Sequence, residues 1–261
     1  KTLRELKRLK QQYPELDWHQ GGVLQLASSE RIKKQITQLG LLYEAAPELA
    51  QALSAEVASE VAGIAIDAEA LYFPQAGWID PVQLCQLLLK DAGESVRLKT
   101  NHSIASIESV DGVWTLRDEQ QSLIAESETV ILANASAARL FTQTSFLPLQ
   151  SARGQISVIS SSANSQKLSC AICHDGYILP ESNGEHVIGA SFITGDDSAE
   201  PRLEEDTDNI NQLRKALPEL FTGDVSALSH RAAVRATAAD RITFIGPVSV
   251  SACVAKTAND P

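Results

Sequence analysis

Apolar residues recur at helical spacing in Leu3, Leu6, Leu9 and Tyr13 and leave the basic side chains on the other face, which predicts a helix over 2–13 that Pro14 stops. Val23-Leu24-Gln25-Leu26 alternates as a strand after Gly21-Gly22, and Ser28 or Ser29 can cap a helix with its body at 31–42. The Ala-rich, acidic stretch 47–60 reads as further helix. In 71–89 the chain passes Pro74 and Gly77 into Asp80-Pro81, a helix cap followed by a proline in the first turn. Val82, Leu84, Cys85, Leu88 and Leu89 supply the face expected to be buried. Trp78, just before the cap, either meets a cavity or packs on the helix.

From Ser95 the period shortens to two. Val96-Arg97-Leu98, then 102–110, then Val113 to Leu116 read as strands, with Asp111-Gly112 as a hairpin turn and a further strand at 122–125. The run ETVILANA (128–135) is continuously apolar and ends in small residues. It suits a central parallel strand opening onto a ligand crevice, or a tight strand-to-helix turn without one. In 147–159, Arg153-Gly154-Gln155 breaks one strand and begins another. Two strands flank His174-Asp175-Gly176, with Tyr177 just past the turn, and 187–192 is another strand. The acidic segment 196–208 reads as a solvated loop before a helix at 209–217, which Pro218 ends. Strands outnumber helices in this half, so it reads as an antiparallel sheet with helices on one face.

Composition adds little to that picture. Hydrophobic residues are 44% of 261, enough for a sizeable core, and no apolar run reaches a membrane span. A cytoplasmic protein is expected. The net charge of -11 argues against nonspecific phosphate binding. The basic clusters Lys1, Arg4, Lys7, Arg8, Lys10 and Arg31, Lys33, Lys34 read as solvated helix faces rather than nucleic-acid contacts. Four scattered cysteines, Cys85, Cys170, Cys173 and Cys253, make no disulfide framework, and the Cys170/Cys173 pair lacks a second half for zinc, so no metal is expected. Methionine is absent and Lys1 stands first, so the sequence is expected to be a piece of a longer protein.

The candidate chemistry centres on SHRAAVRATAADRITFIG (229–246), which sets Arg235 in an apolar run expected to resume as a strand at Ile242, Phe244, Ile245 and Gly246. A guanidinium on a buried strand end needs an anion, either a substrate carboxylate or an internal ion pair. His174 and Asp175 do not make a hydrolase: no GxSxG elbow accompanies them, and neither HExxH nor a Walker loop occurs.

In order, YFPQAGWIDPVQL, ETVILANA, LPLQSARGQISVI, HDGYILP and AAVRATAADRITFIGPV resemble the glycine-oxidase/D-amino-acid-oxidase family of FAD enzymes over about Trp18 to Val248. Within that family the resemblance is closer to the oxidoreductase part of a bifunctional tRNA-modifying enzyme. It implies an α/β fold with α+β elements: a Rossmann-like FAD-binding domain interleaved with an antiparallel-sheet substrate domain. The expected division is 1–70 (helical part of the substrate domain), 71–146 (FAD-binding), 147–235 (antiparallel substrate domain) and 236–261 (return to the FAD-binding domain). The implied cofactor is FAD. The implied reaction is oxidative removal of the carboxymethyl group from carboxymethylaminomethyl-(2-thio)uridine at the tRNA wobble position. The alternatives are oxidation of a free glycine or D-amino acid, and a noncatalytic fragment. The implied partners are tRNA as substrate and a covalently linked methyltransferase domain.

By the same resemblance Arg235 binds the substrate carboxylate and Tyr177 faces the flavin. Ile104, Ala133 and Asn134 meet the FAD nucleotide. Gly77 and Trp78 lie near the substrate, and Arg153 to Gln155 at the crossing between domains. The family's opening GxGxxG turn and its closing glycine-rich segment are not in these 261 residues, so FAD is expected to bind this stretch weakly or not at all by itself.

Overall fold

The computed structural model describes residues 2–240 and 242–248. In chain order the elements are α1 (Thr2–Gln12), β1 (Trp18–His19), β2 (Val23–Leu26), α2 (Glu30–Leu42), β3 (Gln51–Leu53), α3 (Ala55–Ala62), β4 (Ala70–Phe73), β5 (Trp78–Ile79) and α4 (Pro81–Ala92). There follow β6 (Ser106–Val110), β7 (Val113–Arg117), β8 (Leu123–Ser127), β9 (Leu149–Ser160), β10 (Ala171–Cys173), β11 (Tyr177–Ile178), β12 (Glu185–Gly189), β13 (Ile193–Thr194), α5 (Leu203–Ala216) and β14 (Ala227–Ala238). They form two compact units. Among the described residues the larger holds 2–96, 154–192 and 200–232, and the smaller holds 97–153, 193–199, 233–240 and 242–248.

In the larger unit β9, β12, β11, β10, β2, β4 and β3 lie side by side, antiparallel except for the β10–β2 pair. Alternation places Leu24 and Leu26 of β2 into a core with Ile172, Ile178 and Ile188, which Ala58 and Ala62 of α3 and Leu213 of α5 cover. A second cluster joins Leu9 of α1 to Leu16 and Leu87. Two caps are as the sequence implies: Ser29 accepts from Ile32 N–H, and Asp80 from Val82 and Gln83 N–H with Pro81 following it; Ser54, which the sequence pattern did not mark, caps α3 by accepting from Val57 N–H. On α4, however, only Leu87 is fully buried; Val82, Cys85, Leu88 and Leu89 are exposed, because the helix meets its neighbours along one narrow stripe.

The smaller unit is built on the antiparallel meander β6-β7-β8. Asp111 (φ 51°) and Gly112 (φ 82°) both take the left-handed conformation of a tight hairpin turn. Thr194 and Ile193 of β13 pair with Ala152 and Arg153 of β9.

Several expected elements differ. Residues 96–98 are not a strand, and 47–60 is helical only from Ala55, because Gln51–Leu53 pairs with β4. ETVILANA forms no strand: 129–134 is coil and Ile131 is 85% exposed, since among the described residues no strand lies beside it to take its backbone groups. Residues 242–248 are likewise coil with Ile245 93% exposed, not a resumed apolar strand. β9 runs unbroken through Arg153-Gly154-Gln155. The acidic segment is partly helix: α5 begins at Leu203, and Glu205 and Asp206 are buried because β9, the β12–β13 connection and β14 supply donors to them.

Candidate active site

Tyr177 is the first residue of β11 and pairs with Cys173 on one side and Gly189 on the other. The turn that delivers it is held by His174, whose N–H donates to the Gly176 carbonyl at 2.8 Å and whose Nδ1 accepts from the Gly176 N–H at 2.9 Å. Gly176 is required by close approach, since a Cβ there would stand 2.4 Å from the Gly189 carbonyl oxygen. Burial pushes the His174 pKa below its usual value, against the attraction of Asp175. Asp175 accepts from the Ser28 hydroxyl at 2.7 Å. On this side of the turn lies a cavity of about 280 Å³ lined by Asp67, His174, Asp175, Gln212 and Lys215 among others; Tyr177 is not in its wall.

Gln155 is fully buried in β9. Its amide nitrogen donates to the Arg202 carbonyl and to Asp206 Oδ1, and Ser157 Oγ donates to the same carboxylate oxygen at 2.6 Å. Asp206 Oδ2 meets His230 Nδ1 at 2.8 Å. Gly77 and Trp78 sit where β5 pairs with β1. A Cβ on Gly77 would come 1.9 Å from the His19 carbonyl oxygen, and the Trp78 ring stacks on His19 with centroids 5.1 Å apart.

The other candidates belong to the smaller unit. Arg153 is fully buried and donates from NH1 to the Ser198 carbonyl at 2.6 Å. Arg235 is exposed on β14 rather than seated at a buried strand end, because alternation turns Val234 and Ala236 inward and Arg235 outward. Ile104 is half-buried just before β6. Ala133 and Asn134 are exposed coil, followed by Ala135 at φ 54°. At Ala133 and Asn134 short side chains on exposed backbone leave room for a ligand to approach the chain, whereas Ile104 is a half-buried apolar residue.

The DAO family pattern, FAD dependent oxidoreductase, matches residues 1–258. The chain belongs to the DAO family. It is 34% identical over 239 residues to the tRNA 5-methylaminomethyl-2-thiouridine biosynthesis bifunctional protein MnmC of Pseudomonas entomophila (strain L48), covering 89% of this chain and 36% of that protein. It is 35% identical over 228 residues to the MnmC of Methylobacillus flagellatus, covering 87% and 35%. The chain thus spans about a third of the length of the curated relatives it matches. Glycine oxidase from Geobacillus kaustophilus shares the fold with a TM-score of 0.80 at 17% identity, covering 94% of this chain and 68% of that one. L-proline dehydrogenase from P. horikoshii does so at 0.80 and 16%, covering 95% and 68%. The mixed α/β fold of this DAO family member is therefore the one seen in those glycine oxidase and L-proline dehydrogenase structures.

Sequence reasoning did not single out His19, Asp206 or His230. His19 and Trp78 come from strands of two residues each, too short for any periodicity to register. Asp206 was hidden in an acidic run, where only its spacing ahead of the 209–217 helix hinted at a first turn. Among the described residues no group of three or more His, Cys, Asp or Glu is placed to hold a metal, and no helix is long and apolar enough to cross a membrane.

Proposed function

We propose that this chain is part of an FAD-dependent oxidoreductase acting on a CH–NH bond of a modified tRNA. The substrate is carboxymethylaminomethyl-(2-thio)uridine at the wobble position. What carries the reading is the 34% identity to MnmC over 89% of the chain. FAD, when bound, would supply the two-electron oxidation of the CH–NH bond between amine and carboxylate; with hydrolysis by water, the carboxymethyl group would leave as glyoxylate and the product would be aminomethyl-(2-thio)uridine. The chain's own part is to bind and orient. Arg235 pairs its guanidinium fork with the substrate carboxylate, Tyr177 borders the reacting carbon, and Ile104, Ala133 and Asn134 would hold the nucleotide portion of FAD. A tRNA substrate places the protein in the cytoplasm, and a methyltransferase domain in the same polypeptide would supply the next alkylation.

The test is the visible spectrum of the full-length gene product under anaerobic conditions. Flavin bands that bleach with tRNA carrying the carboxymethylaminomethyl group, and not with glycine, are the expected result. Bleaching by glycine or a D-amino acid and not by the tRNA would replace this reading with a free amino-acid oxidase. A colourless protein that FAD does not reconstitute would leave a noncatalytic module.

A further inference from the structure

The β1–β5 ladder contains two cross-strand pairs, Trp18 with Ile79 and His19 with Trp78. Period-two geometry sends them to opposite faces. Trp18 and Ile79 pack on the cluster of Leu9, Leu16 and Leu87. His19 and Trp78 are left on the other face, stacked with an interplanar angle of 12°. The stack is fixed from three sides. Gly21 lies beneath the Trp78 ring, where a Cβ would come within 3.0 Å of Cη2 and Cζ3, and Gly77 lies against the His19 carbonyl. Asp17 holds the imidazole edge, with Oδ1 2.6 Å from Nε2. One face of the imidazole is covered by indole, yet the His19 side chain remains 52% exposed. A two-ring stack whose outer ring is half-exposed offers a platform for a third flat ring.

We infer that His19, backed by Trp78, is a stacking platform for an unpaired base of the anticodon loop beside the wobble uridine. The inference rests on the tRNA reading above and assigns it a contact. Unpaired RNA bases are recognised by stacking on aromatic side chains, a contact that tolerates any base because every base has a π-face. The chain has a net charge of -11, with Arg8 tied to Glu5 and Asp91 and Lys33 to Glu69, so stacking and not these cations is the contact assigned to this face. Asp17 beside the platform disfavours a phosphate there, so the occupant is a base and not the backbone.

The experiment uses the full-length protein and an anticodon stem-loop RNA with 2-aminopurine next to the wobble uridine. Binding to the wild type quenches the fluorophore. His19→Ala and His19→Gln, the latter keeping a donor for Asp17 but no ring, weaken binding about 5- to 100-fold and abolish the quench. His19→Phe restores both, and the salt dependence of binding keeps its slope because no phosphate contact changes. If the stem-loop binds and the flavin still bleaches with modified tRNA, but His19→Ala matches the wild type, the platform is overturned and the tRNA reading stands. If the wild type binds no stem-loop while a free amine bleaches its flavin, both are overturned.

Discussion

Gln155 and Arg202 hydrogen-bond to each other in both directions: the Gln155 amide nitrogen donates to the Arg202 carbonyl, and the Arg202 N–H donates to Gln155 Oε1, each at 2.8 Å. Arg202 is the N-cap of α5 and makes no side-chain capping bond of its own. A side chain from β9 therefore does the work of a cap and, through Asp206, fixes the first turn of the helix that covers the sheet.

Replacing Gln155 by Leu keeps most of the volume and removes every one of these bonds. Two backbone groups of Arg202 and a buried carboxylate would lose partners, at about 1–3 kcal/mol for each buried group left unsatisfied. The expected cost is about 2–5 kcal/mol of unfolding free energy, read from urea denaturation followed by tryptophan fluorescence. A loss below about 1 kcal/mol would mean that the amide is not what anchors α5.

His186 makes stability depend on pH. It is fully buried, with Nδ1 2.8 Å from the Leu179 carbonyl and Nε2 2.9 Å from Ser165 Oγ. A carbonyl can only accept, so Nδ1 carries a proton, while Nε2 faces the serine hydroxyl. Burial disfavours the charged ring and holds its pKa below the usual histidine value. His174 is shifted the same way by the same cause. The unfolded chain takes up these protons near pH ~6.5 while the folded chain does not. Unfolding thus binds protons in that window, and the stabilisation present above it is lost as pH falls from ~6.5 toward the lower folded-state values. The urea midpoint should drop between pH 7 and 5, and His186→Gln, less stable overall, should drop less steeply. A variant with the wild-type slope would remove His186 from the account.

What could be read from the chain was whatever local chemistry decides. Asp80-Pro81 caps α4, Ser29 caps α2 and Asp111-Gly112 turns the β6–β7 hairpin because each signal acts within four residues. Where the outcome depends on distant partners, the pattern misled. ETVILANA has the composition of a central strand, but a strand exists only if another lies beside it, and no described segment does. Glu205 and Asp206 look solvated in an acidic run, yet Ser191, Gln155, Ser157 and His230 reach them from sequence separations of 14 to 51 residues. The candidate site divides in the same way. Glycines and aromatics at Gly77, Trp78 and Gly176-Tyr177 could be marked from sequence, whereas the partner that gives Trp78 its stack, His19, is 59 positions away and is set by the pairing of two short strands.

Arg235 separates two readings that its sequence context left open. If its guanidinium grips the substrate carboxylate, Arg235→Lys keeps the charge and loses the two-pronged geometry, and Arg235→Ala loses both. A hydrogen bond to a charged group is worth about 1.5–3 kcal/mol, so kcat/KM for the carboxymethylaminomethyl substrate should fall about 10- to 100-fold for Lys and further for Ala. A substrate analogue with the same amine but no carboxylate should be turned over equally by all three proteins, since the arginine has nothing to bind. An internal ion pair predicts the opposite division. Both variants would then shift the denaturation midpoint and would slow the two substrates alike, because an altered β14 does not distinguish them.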